Sequence, residues 1–194
     1  KINNKPGISV CLISGVGLLF DHNSLDRANR WNQDFKIYNP EITLNKNLLY
    51  RLPILIFNGL CSILFFFLLK KITGNDWLAL FSSSSVILSP ILLGISQIVN
   101  PDSLLWIFVL ATILSFVCFL RTEKNLFAVF SSTFLGLSLL TKYSSFILIP
   151  FMFVSIFLFL FFHYGREPVA AMIVKIRKLF SVYPVIILGS FAIF

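Results

Sequence analysis

Five long apolar runs, 51–69, 77–100, 103–120, 126–141 and 146–162, follow one another with short breaks between them. Each is about 16–24 residues, close to the ~20 that a helix needs to cross the hydrocarbon core of a bilayer. Ile63-Leu64-Phe65-Phe66-Phe67-Leu68-Leu69 carries no polar face, which a helix on the surface of a soluble core would need. A membrane barrel is excluded, because its strands alternate polar and apolar residues. The reading is an all-α, polytopic transmembrane helical bundle.

Composition agrees. The chain is 57% hydrophobic, with a mean hydropathy of +0.89, against about 45–50% apolar content in soluble domains. A net charge of +8 would suggest nucleic acid in a soluble protein. Here the lysines and arginines flank apolar runs, where they set topology, and no nucleic-acid partner is expected. Cys11, Cys61 and Cys118 lie in apolar runs without CxxC spacing and read as small hydrophobes. His22 and His163 are isolated and fall in loops on opposite sides, so no histidine metal pair is expected.

The N-terminal part, 1–50, reads as an extracytoplasmic segment, and 51–194 as the transmembrane bundle. The run 8–20 follows Lys5-Pro6-Gly7 and is too short to span, which fits an interfacial or re-entrant helix. Pro6 suits a helix start, and Gly15 and Gly17 allow close packing. The stretch 21–50 mixes charges with Trp31, Phe35, Ile37 and Tyr38 and reads as amphipathic and surface-lying. Ser82–85 suits close helix packing, and Pro90 and Pro150 should kink or interrupt their helices. The chain starts at a lysine and stops inside the apolar run 185–194, so it is expected to be a fragment truncated at both ends.

A chain that crosses back and forth puts alternate loops on one side. Lys70, Lys71, Arg121, Lys124, Arg166, Lys175, Arg177 and Lys178 then share one face, read as cytoplasmic from the short loops that carry them. Arg51, Asp102 and Lys142 share the opposite face. Ionisable groups at membrane depth cost roughly 2.5–3.5 kcal/mol each on insertion scales and point to function. Two cations and a carboxylate suggest a site for an anionic, membrane-borne ligand.

Each residue also has a plainer reading. Asp102, after Pro101, would serve as a helix N-cap, or else contact a divalent metal or an acceptor. Lys142 would snorkel to the interface, or bind phosphate as a compact point charge. Arg51 would anchor the interface, and Lys5 would be an ordinary loop lysine. The same pattern admits a secondary transporter or a non-catalytic membrane subunit, although paired broken helices in two related halves are not visible.

Taken in order, these residues resemble the GT-C glycosyltransferases that use a polyprenyl-phosphate sugar, the superfamily of protein O-mannosyltransferases and the lipid A aminoarabinose transferase. The resemblance runs through Lys5-Pro6-Gly7 before a short helix, Arg51 opening a span, and Pro101-Asp102 after a long one. It closes with Gly136-Leu137-Ser138-Leu139-Leu140-Thr141-Lys142-Tyr143, similar to the family's Gly-Leu-x-x-Leu-Thr-Lys stretch. It implies that the short helix lies on the extracytoplasmic surface. It implies that Lys5 and Lys142 contact the lipid phosphate, Arg51 supports the site, and Asp102 meets the acceptor or a divalent metal. The family's catalytic carboxylate lies upstream of the Lys-Pro pair, which here would precede Lys1. The expected function is transfer of a sugar from a polyprenyl-phosphate donor to an acceptor outside the cytoplasm, with the fragment inactive alone. The residue bias suggests an AT-rich bacterial genome, hence a multi-pass protein of the bacterial inner membrane.

Overall fold

The computed structural model describes residues 8–20, 40–96 and 100–164. Lys5-Pro6-Gly7, the polar stretch over 21–39, His22, Gln97 and the basic and apolar segments over 165–194 lie outside the described residues. The described chain is all helical, as the apolar runs require.

Helix α1 covers Ile8–Gly15 and passes into a 3-10 turn over Val16–Phe20. Together they rise about 22 Å, short of the ~30 Å core. Helix α2 runs from Pro40 to Thr73 in one piece of 34 residues. The change of composition at Tyr50-Arg51 is thus not a change of structure, and Arg51 lies within the helix rather than at its start. The apolar part able to span is Leu48–Thr73, 26 residues. Gly74 ends α2: its φ of +69 is left-handed, and its N–H bonds the Lys70 carbonyl at 2.9 Å. Such a stop suits glycine, which carries no Cβ.

Helix α3 (Asp76–Ile87) starts on Asn75, whose side-chain oxygen accepts from the Trp77 and Leu78 N–H groups. Helix α4 (Pro90–Ser96) follows at a bend of 46°. Pro90 lacks an N–H and takes the first helical position, so the break expected there is found. Within α3, Ser83 is buried, and the Ser83 and Ser85 hydroxyls bond the preceding turn.

Helix α5 (Pro101–Thr122) and helix α6 (Asn125–Thr141) pack as an antiparallel pair. A 3-10 turn over Tyr143–Ile147 leads into helix α7 (Leu148–Tyr164). Pro150 falls in the first turn of α7 and does not kink it, because the α-helix begins at Leu148, where the 3-10 turn ends. By length and composition, α2 and α5 can each cross a membrane, and α3 with α4 can form a third, broken span. Helix α6 and the 143–159 stretch are shorter apolar helices. Five spans were expected from runs of about 16–24 residues; the helix lengths depart from those runs because the chain bends at Pro90 and tightens at Tyr143.

The core lies along the helix interfaces. Phe116, Phe119, Leu135, Leu139, Met152 and Ile156 join α5, α6 and α7. Cys61, Phe65, Leu92, Ile107 and Ala111 join α2, α4 and α5. Outward residues are apolar as well: Phe67, Trp77, Phe81, Phe157 and Phe162 are all exposed. A surface this apolar is what lipid, rather than water, accepts.

Candidate functional site

Helices α2 and α5 run side by side in the same direction. Ile54 and Leu104 share one cluster near their starts, and the Cys118 sulfur meets the Leu68 carbonyl near their ends. The second end carries Lys70, Lys71, Arg121 and Lys124. There Lys70 pairs with Asp76 at 3.0 Å, and the Arg121 guanidinium donates to the Ile72 carbonyl. Arg51, Asp102 and Lys142 gather toward the first end. The two faces expected from alternating loops therefore correspond to the two ends of this bundle.

Asp102 is not the N-cap of α5. That position belongs to Asn100, whose side-chain oxygen accepts the Asp102 N–H at 3.3 Å. Pro101 takes the first helical position. The Asn100 amide nitrogen in turn donates to the Asp102 carboxylate at 3.2 Å. Asp102 is left with one carboxylate oxygen for another partner, and that partner is Lys142, whose Nζ lies 2.9 Å away. The two residues singled out separately in the sequence thus form an ion pair between the start of α5 and the end of α6.

Lys142 sits where the backbone changes course. It closes α6 in an extended conformation and opens the 3-10 turn. Its N–H bonds the Ser138 carbonyl at 3.0 Å, and its carbonyl accepts the Ser145 N–H at 3.1 Å. The buried Ser145 hydroxyl donates to the same Ser138 carbonyl at 2.9 Å. The main chain on both sides of Lys142 is held while its side chain remains about half exposed.

Arg51 lies one turn before Ile54, the α2 residue that packs against Leu104. It is half-buried, and its Nε is buried without a hydrogen-bond partner among the described residues. Lys5 lies outside the described residues. Helix α1 is described, and it closes over this end: Val10 packs with Ile54, Leu104 and Phe108, and the Ser9 hydroxyl meets the Thr141 hydroxyl at 2.6 Å. Gly17 allows the approach to α2, since a Cβ there would stand 2.3 Å from the Leu49 carbonyl oxygen. Gly15 has open space around it and does not serve packing. A groove of about 580 Å³, lined by Leu12, Val16, Phe20, Leu48, Leu52 and Ile56 among others, runs between α1 and α2.

Among the described residues no three of His, Cys, Asp and Glu converge, and Asp102 already faces a lysine. No step is routed through a metal. Sequence reasoning passed over Ser9 and Thr141 as parts in their own right; Thr141 stood in the Leu-Thr-Lys stretch, but nothing in the pattern showed what its hydroxyl would meet.

Comparison with curated proteins and with solved structures gives no match. The sequence model of the family described as dolichyl-phosphate-mannose-protein mannosyltransferase matches residues 5–193 of the 194. That covers every element described above. The chain belongs to the dolichyl-phosphate-mannose-protein mannosyltransferase family, a family of membrane glycosyltransferases within the GT-C group.

Proposed function

We propose that this chain is the donor-binding membrane part of an enzyme that moves a sugar from a polyprenyl phosphate to an acceptor on the extracytoplasmic side. The observation that supports this most is the Lys142–Asp102 pair, held at one end of the bundle in a chain of this family. When the glycosidic bond to phosphate breaks, negative charge builds on the lipid phosphate, and a cation fixed beside it lowers the barrier. The backbone around Lys142 is tied on both sides, so its side chain starts from a fixed point.

The pair with Asp102 does not block this role. Both partners are partly exposed, 46% and 36% for the side chains, and such pairs contribute only about 0.2–1 kcal/mol. A charge-assisted bond from lysine to phosphate is worth about 1.5–3 kcal/mol. A donor phosphate therefore outcompetes Asp102 for Lys142. Asp102 then turns to the acceptor, where a carboxylate can orient a hydroxyl. Arg51 supplies further positive charge at the same end, and Lys5 a second phosphate contact. The groove between α1 and α2 gives the apolar tail of such a donor a surface to lie on.

The test is turnover of a radiolabelled polyprenyl-phosphate sugar by the full-length protein in proteoliposomes. Lys142→Ala should weaken donor binding about 10- to 100-fold, and Lys142→Arg should recover part of it, since a planar fork differs from a point charge. Asp102→Asn should keep the fold, because Asn100 and not Asp102 caps the helix, yet lower transfer. Wild-type rates in both Lys142→Ala and Asp102→Asn would reduce the pair to an interfacial anchor and its counter-ion.

A further inference from the structure

The Ser9–Thr141 hydroxyl pair is a buried side-chain to side-chain contact between separate helices, and it stands beside Lys142. The oxygens are 2.6 Å apart, and the residues are 2% exposed and fully buried. Ser9 belongs to a short helix that does not span, and Thr141 immediately precedes Lys142. A buried hydroxyl surrounded by hydrocarbon has no water to fall back on, so its partner matters more than at a surface.

The Thr141 hydroxyl lies 2.7 Å from the Leu137 carbonyl. A carbonyl only accepts, so the single Thr141 proton goes there. Ser9 must then be the donor to Thr141, and the chain of bonds runs from α1 through Thr141 into the last turn of α6. The two partners are thereby unequal. Removing the Ser9 hydroxyl leaves Thr141 still bonded to Leu137. Removing the Thr141 hydroxyl leaves a buried Ser9 proton with no acceptor among the described residues.

Other contacts hold α1 to α2, α5 and α6 alike. Val10 and Ile13 join the cluster with Ile54, Leu104 and Phe108, and Gly17 lies against the Leu49 carbonyl of α2. These contacts are apolar or steric and carry no hydrogen-bond direction. The Ser9 bond is directional and reaches the residue next to Lys142. Chain connectivity also keeps Lys5, four residues before Ser9, within about 14 Å of it.

We infer that Ser9 and Thr141 are positioning residues that dock the short helix α1 onto the Lys142 turn through a directed pair of buried hydroxyls, so that α1 and Lys142 address one lipid-phosphate donor together. This rests on the donor site proposed above, and the experiment separates the two. Cys11 on α1 is exposed, and Cys61 and Cys118 are buried. In the full-length protein with those two replaced by alanine, spin labels at Cys11 and at Tyr143→Cys report the distance between α1 and the turn. A narrow distribution is expected for the parent and for Thr141→Ser. Ser9→Ala should broaden it, and Thr141→Val should broaden it more. In the same variants kcat/KM for the polyprenyl-phosphate donor should fall about fivefold in Ser9→Ala, about 1 kcal/mol, and further in Thr141→Val. The loss should appear mainly in KM, and Thr141→Ser should rescue it. A parent-like distribution in both Ser9→Ala and Thr141→Val would overturn the docking role. Broadened distances with unchanged kcat/KM would overturn the link to the donor. If the parent transfers no sugar from any polyprenyl phosphate, the donor site falls, while the distance measurement still decides whether the hydroxyls dock α1.

Discussion

Two glycines two residues apart show how sharply the consequences of one methyl group can differ. A Cβ on Gly17 would stand 2.3 Å from the Leu49 carbonyl oxygen and 3.0 Å from its carbon. Backbone atoms cannot swing aside as a side-chain tip does, so α1 or α2 would have to move. Gly17→Ala should destabilise by about 1–3 kcal/mol, the usual range for overpacking, and lower the thermal midpoint in detergent. Gly15 meets nothing within 4 Å and keeps a negative φ. Gly15→Ala should be neutral or raise stability by up to about 1 kcal/mol, the difference in helix propensity. Equal midpoints for the two variants would mean that α1 does not rest on α2 through Gly17. The site end follows similar logic. Asn100 holds the Asp102 N–H and its carboxylate together, so Asn100→Ala should cost about 1 kcal/mol as a lost cap. It should also loosen the carboxylate that faces Lys142, lowering transfer more than a cap elsewhere would.

At the scale of the element, the sequence carried helix existence well and helix ends poorly. Unbroken apolarity over 63–69 left no alternative to a buried or lipid-facing helix, and the described structure is helical there. Pro90 marked a break because its missing N–H acts at any position in a helix. Pro150 looked the same in sequence and did nothing comparable, since its effect depends on where the helix begins. Polarity falls at Arg51 as it would where a span opens, but backbone hydrogen bonding continues from Pro40 regardless of the side chains. The ion pair was legible only as two separate charges, because its partners are 40 residues apart and meet only once α5 and α6 pack antiparallel. Helix α1 supplies the prediction at this scale. Eight α-helical and five 3-10 residues rise about 22 Å, too little for a ~30 Å core. Single cysteines at positions 3 and 24, in a background lacking Cys11, Cys61 and Cys118, should label from the same side of the membrane. Labelling from opposite sides would carry Lys5 away from Lys142 and end the shared donor site.

Across the whole molecule, the arrangement of charge decides which end faces which compartment. One end holds Lys70, Lys71, Arg121 and Lys124 against Asp76 and Glu123. Lys70 pairs with Asp76, and Arg121 bonds the last turn of α2, where the helix dipole also favours a cation. These charges lie within a few residues of span ends and in short loops, the positions where lysine and arginine bias orientation most. The other end holds Lys142 tied to Asp102, so that pair carries no net charge, and Arg51 is the cation of the three that still weighs against the bias. The basic end should therefore face the cytoplasm and the Lys142 end the outside. Cysteines introduced singly at positions 73 and 123 should react with a membrane-impermeant maleimide only after the membrane is opened, and those at 101 and 143 before. The packing makes this a joint test. Because the Cys118 sulfur meets the Leu68 carbonyl and Leu104 packs with Ile54, α2 and α5 must cross in the same direction, and 73 cannot part from 123 without breaking the bundle. If 73 and 123 label together from outside, the fold stands and the site faces the cytoplasm. If they label from opposite sides, the parallel packing of α2 and α5 is refuted, and with it the meeting of Arg51, Asp102 and Lys142 at one end.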